Sequence, residues 1–238
     1  MWVIFLAFML KDTSYVKREL LKSDSLYLES YKDEALFDKA EKIVDSLLLN
    51  SKILVDEILW RKAHFCFERG YALKEISRKK EWYKKGEEFA RLAIKNNPNN
   101  PEAHFWFAIN KGAIGKLNGV LHSLFMIGDL KKEAERIIEL KPDHPGAHII
   151  IGEIYKSLPE IFGGDKNKAL DEFKLAIEKD SLYTASYISL AETYKEIGDS
   201  SKAKETLYKL LSLKNSRDIR RFNLYEIKEA KELLRQIK

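Results

Sequence analysis

The chain has a single cysteine in 238 residues, which excludes an intramolecular disulfide and any multi-cysteine metal site. Cys66 stands between Phe65 and Phe67, and that apolar setting predicts an inert buried thiol rather than a nucleophile. Only 5 prolines and 11 glycines interrupt the sequence, so long helices are expected throughout. A charge excess is missing too: 42 Lys and Arg against 37 Asp and Glu leave +5. The two signs alternate, as between Glu81 and Glu88 or Lys202 and Glu205, the pattern of solvated helix faces carrying i,i+4 pairs. Without a concentrated basic stripe, no nucleic-acid partner is expected, even with Arg217, Arg220 and Arg221 near the C-terminus.

Long hydrophobic runs are also lacking. Met1 to Leu10 carries no charge, but a membrane-spanning helix needs about 20 apolar residues. Its length suits the apolar region of a signal segment or a membrane tether, although a basic flank and a small-residue cleavage site are missing. An apolar turn docked on the fold and a start-site artefact are the competing readings. The expectation taken forward is a periplasmic or membrane-associated protein, with a cytoplasmic one as the alternative.

What is present repeats itself. Residues 98–104 (PNNPEAH) and 142–148 (PDHPGAH) are near copies 44 positions apart, each following one amphipathic run and opening another. A helix junction copied at fixed period is the signature of a helical-repeat array. The tetratricopeptide pattern fits it. That pattern sets a large residue at position 4, an apolar or small pair at 7 and 8 and an aromatic at 11. Small residues follow at 20 and 27, with proline near 32. The last unit matches best, with Tyr187, Leu190, Ala191, Tyr194, Gly198 and Ala203. Position 4 falls on Trp60, His104, His148 and Tyr187, spaced 44, 44 and 39. The excess over 34 falls between the two helices of a unit, where it leaves the stacking of neighbours intact.

The expected fold is therefore all-α, a right-handed helical-repeat solenoid of about four two-helix units with capping helices. Its parts are an apolar N-terminal segment at 1–11, N-terminal capping helices at 12–53, repeats at 54–215 and a C-terminal capping helix at 216–238. The repeats divide at about 54–98, 99–142, 143–181 and 182–215. No linker rich in Gly, Pro or Ser divides the chain, which predicts one domain. Asn100, His144 and Asp165 are expected to start helices, and Asp180 or Ser181 another.

A family likeness rests on particular residues. The loop Leu158, Pro159, Glu160, Ile161, Phe162, Gly163, Gly164, Asp165, followed by Ala169, Phe173 and Ala176, resembles a loop and second helix shared by two tetratricopeptide-like groups. These are the TRAP transporter T-component proteins and the regulator of microtubule dynamics family. Residues 82–90, 103–106 and 221–224 agree, so the likeness covers roughly 35 to 236. The first group implies a non-catalytic periplasmic protein that pairs with an extracytoplasmic solute-binding protein and passes on a hydrophobic ligand. The second implies a membrane-tethered or cytoplasmic adaptor. The lipoprotein cysteine of the first group has no counterpart near the start of this sequence.

Catalytic signals are weak. Residues 163–166 (GGDK) lack the spacing of a phosphate-binding loop, and a tight turn before a helix accounts for both glycines. His144 and His148 stand at i,i+4 with Asp143 adjacent, but a helix start and a packing position explain them better than a metal does. Hence no enzyme activity, cofactor or metal is expected. The remaining candidate is the face lined by the first helix of each pair. Its inward positions include Arg61, Phe65, Phe105, Ile109, Ile149, Glu153, Ile188 and Glu192. The first two units offer apolar residues and the last two a lattice of Glu and Lys. Such a strip suits a partner peptide, a partner loop or a small hydrophobic ligand. The competing view has Phe65, Phe105 and Ile109 simply packing on an inserted or capping helix such as 120–127.

Overall fold

A computed structural model describes residues 2–237, with side chains described at 12–119 and 122–237. Every described element is helical. The side chains of the apolar N-terminal run lie outside the described residues, and with them its docking, targeting or tethering role. Among the described residues no helix is long and apolar enough to cross a membrane.

The contacts group the chain into two compact units, Met1–Leu117 and Asn118–Lys238, where the missing linker predicts one domain. The break coincides with Gly119, whose positive φ of 93° ends the preceding helix.

The first unit contains α1 (Trp2–Glu29), α2 (Glu34–Asn50), α3 (Val55–Ala72), α4 (Ile76–Asn96) and α5 (Pro101–Asn118). Phe37, Ala40, Val44 and Leu47 recur at helical spacing and are buried together, which makes one face of α2 apolar. They meet Val16, Leu20 and Tyr27 of α1, with Ile58 and Phe65 of α3. Ala63, Ala90 and Phe107 then join α3, α4 and α5, as do Leu59, Ala93 and Ala103. The small residues let helices approach closely. A Cβ on Gly70 would sit 2.6 Å from the Tyr83 ring.

The second unit contains α6 (Val120–Leu140), α7 (Pro145–Ser157), a 3-10 turn (Glu160–Phe162), α8 (Lys166–Lys179), α9 (Ala185–Glu196) and α10 (Ser200–Ser212). It closes with α11 (Ile219–Arg221), a π-turn (Phe222–Glu226) and α12 (Ile227–Gln236). One core runs from Ala169, Phe173 and Ala176 through Tyr187 and Leu190 to Leu207 and Leu210, ending on Phe222, Ala230 and Leu233. The extra residues of the second repeat fall in the last turns of α5 and the first turns of α6, at residues 116–128. In the third repeat they form the 3-10 turn and the residues that flank it.

Of the expected helix starts, two carry a side-chain cap. The Asn100 side chain accepts from the backbone N–H of Glu102 and Ala103, and Asp165 accepts from Asn167 and Lys168. His144 precedes Pro145 at the start of α7. Neither Asp180 nor Ser181 starts the next helix. Asp180 accepts from Leu182 N–H within a turn, and Thr184 occupies the cap of α9.

Candidate partner-binding faces

In the first unit, Arg61 is a fastener between helices. Its Nε and Nη2 donate to the two carboxylate oxygens of Asp24 on α1, each at 2.8 Å. Its Nη1 donates to Glu57 Oε2 at 2.9 Å and to the Glu57 carbonyl. The guanidinium lies over the Trp60 ring, 4.1 Å from its centroid. Glu57 also accepts from Trp60 Nε1 and from Nδ2 of Asn100, the residue that precedes α5. Burial alone would weaken the Arg61 charge, but Asp24 and Glu57 outweigh it and hold the group more firmly protonated than usual.

Phe65 is only 1% exposed. Its ring meets Phe37 edge-on at 5.2 Å and Tyr27 at 5.6 Å, so the two N-terminal helices cover it. Phe105 is buried beside Trp106, while Ile109 is half-buried. The expected apolar strip thus has its strongest member inside the packing. Phe65 does pack on capping helices, but these are α1 and α2 rather than residues 120–127.

In the second unit, Ile149 and Ile188 belong to the core, and the charged positions meet across helices. Glu153 Oε1 on α7 accepts from Lys156 Nζ at 3.1 Å and from Ser189 Oγ of α9 at 2.9 Å. The same Lys156 ammonium donates to Glu192 Oε2 at 2.8 Å. Lys195 Nζ then reaches Gln236 Oε1 on α12 at 2.7 Å. Burial opposes the Lys156 charge, yet Glu153 and Glu192 prevail and raise its pKa. The expected lattice of Glu and Lys is therefore a set of polar ties over α7, α9 and α12.

Sequence reasoning missed two sets of residues. Asp24 and Tyr27 of α1 complete the first-unit arrangement, and the spacing of Val16, Leu20, Ser23 and Tyr27 carried a helical signal for them. A second clasp joins α2 to α3, where Glu41 accepts from Lys62 at 2.9 Å and from Arg69 at 2.9 and 3.1 Å. Burial would raise the Glu41 pKa, but those two cations bring it below the ordinary value. Pairing over 21 and 28 residues leaves no local mark in the sequence.

The other candidates have structural partners. His148 Nδ1 lies 2.8 Å from Glu172 Oε2. Cys66 is fully buried, and desolvation pushes its thiol up to about 12. Of the basic cluster, Arg217 pairs with Asp180, Arg220 is buried and Arg221 lies over the Tyr225 ring. Among the described residues no three His, Cys, Asp or Glu side chains are grouped to hold a metal ion.

The model of the regulator of microtubule dynamics protein 1-3 family matches residues 20–155, more than half of the chain. The chain belongs to that family. Its similarity to regulator of microtubule dynamics protein 3 from Bos taurus is 27% identity over 188 residues, 71% of this chain and 40% of that protein. For the Mus musculus protein 3 the identity is 24% over 209 residues, 80% of this chain and 43% of the relative. The chain thus spans about two-fifths of the length of these curated relatives. Among solved structures, a thermophilic TPR protein of Thermus thermophilus shares 20% identity at a TM-score of 0.48, covering 74% of this chain and 89% of that one. MamA shares 20% identity at 0.42, covering 69% and 97%. Of the two family likenesses read in the sequence, the match falls on the regulators of microtubule dynamics.

Proposed function

We propose that this tetratricopeptide-like family member is a non-catalytic adaptor that binds a segment of a partner protein on the face formed by α7 and α9. The observation that carries the reading is the half-buried network of Glu153, Lys156, Ser189 and Glu192. It sets fixed charges of both signs along adjacent first helices, a surface suited to an extended or helical segment of alternating charge. Phe65 and Phe105 are buried, so the apolar wall expected for a hydrophobic-ligand carrier is not presented. The names of the relatives make the microtubule system the first place to look for the partner. The transporter reading, the first expectation from the sequence, with a solute-binding protein as partner, is kept as the rival and predicts an envelope location.

The test is site-specific photo-crosslinking in intact source cells. The crosslinker is placed at Glu192 on this face and, as a control, at the exposed Tyr208 of α10. One discrete protein joined at 192 and absent at 208, then lost from a Glu153→Lys variant, supports the adaptor reading. Equal labelling from both positions would defeat it. A solute-binding protein recovered from the envelope fraction would favour the transporter rival.

A further inference from the structure

The closing segment of the second unit is tied to the last helix pair by a chain of polar groups that the adaptor reading does not use. Glu226 ends the π-turn and is buried, 4% exposed. Its Oε2 lies 2.5 Å from Thr184 Oγ1, at the cap of α9, and Thr184 Oγ1 lies 2.7 Å from Ser216 Oγ. Ser216 Oγ in turn faces the Leu182 carbonyl at 3.4 Å. Two further ties run in parallel. Arg217 N–H donates to the same carbonyl at 2.9 Å, and its guanidinium pairs with Asp180.

Each hydroxyl has one hydrogen, so the chain has two directions. With Glu226 ionised, Thr184 donates to the carboxylate, Ser216 donates to Thr184, and the Leu182 carbonyl receives nothing from Ser216. With Glu226 protonated, its O–H donates to Thr184, Thr184 donates to Ser216, and Ser216 donates to Leu182. Both directions use every hydroxyl hydrogen, but only the protonated one also serves the Leu182 carbonyl from Ser216 and leaves no negative charge at the buried carboxyl.

We propose that Glu226 is a proton-operated latch: its protonated form closes the C-terminal segment onto the α8–α9 turn, and loss of that proton loosens it. The surroundings favour the neutral form. Burial contributes most, opposed by the Thr184 hydrogen bond and the Arg221 charge and reinforced by Asp218 and Glu229, and the group titrates at about 7. Arg220, one residue before Arg221, is also buried, and Asp180 of the turn is engaged by Arg217. A folded value above the ordinary carboxylate value means the closed form holds the proton more tightly than the open one. Closure is therefore complete below the open-state value and weakens as pH rises toward 7. The π-turn that presents Glu226 is a geometry recurrent at functional positions. Opening would separate Ala230 and Leu233 from the core they share with Tyr187 and Leu207.

Amide hydrogen exchange of peptides within 216–237, in the full chain from about pH 5 to 8.5, tests the latch. Rates are divided by those of Glu226→Gln at the same pH, which cancels the intrinsic pH dependence of exchange. The ratio is expected to climb roughly tenfold per pH unit up to about pH 7 and then level off. A second variant, Thr184→Val, removes the hydrogen bond that favours the ionised form and should carry the bend to higher pH. A ratio independent of pH would overturn the proposal. So would a Thr184→Val bend that stays where the wild type has it, or a Glu226→Gln segment that opens faster than wild type at about pH 5.5.

Discussion

At the scale of the residue, close approach between helices rests on single positions. Gly152 of α7 faces Phe173 of α8 so tightly that an added Cβ would lie 2.5 Å from the ring. Two opposing effects meet there. Alanine is a better helix former than glycine by about 1 kcal/mol, whereas overpacking a core costs about 1–3 kcal/mol. Because the Phe173 ring is fully buried and has little room to yield, the steric effect should win. Gly152→Ala is thus expected to lose about 1 kcal/mol in urea unfolding; a gain in stability would show that the ring rotates away freely. This position was partly legible in the sequence, since the repeat pattern asks for a small or apolar residue there. The partner of Arg61 was not. Asp24 stands 37 residues away, and no local pattern joins them.

At the scale of the element, the caps differ in how much they hold. The Asp165 side chain serves the start of α8, accepting from the N–H groups of Asn167 and Lys168 and lying 3.7 Å from the Lys168 ammonium. Asn100 caps α5 and also donates to Asp56 and Glu57 of α3, at 2.9 Å each. Removing Asp165 with alanine should cost about 1 kcal/mol, the usual worth of a cap. Asn100→Ala should cost about 1–3 kcal/mol more, because the buried Asp56 carboxylate keeps only the Asn97 amide of its two asparagine donors and the partly exposed Glu57 loses one of its partners. Urea titrations of both variants give the comparison, and equal losses would reduce Asn100 to a simple cap. Both caps were legible in the sequence, from Asn100 preceding Pro101 and from Asp165 preceding Lys166. The start of α9 was not. Thr184 is at the cap, but its hydroxyl is taken by Ser216 and Glu226, which only the fold brings near.

At the scale of the molecule, a stack of helix pairs is held together by neighbour contacts, so damage should stay local. Phe173→Ala removes a fully buried ring of the second unit at a cost of about 3–5 kcal/mol. Exchange is expected to accelerate across residues 145–237 and to stay near wild type across 34–96. A uniform rise would show that the two compact units unfold as one. The sequence by itself determined that this chain is helical throughout and where the helix pairs recur. Apolar and small residues at a helical period are a local property, and the period survives insertions that lengthen or join the two helices of a unit. Tertiary structure alone decided which side chains remain available. Phe65 and Glu153 occupy equivalent positions in their repeats, yet one is covered by Tyr27 and Phe37 while the other joins a half-buried network. Burial depends on what a neighbouring helix places opposite, and that partner lies far along the chain.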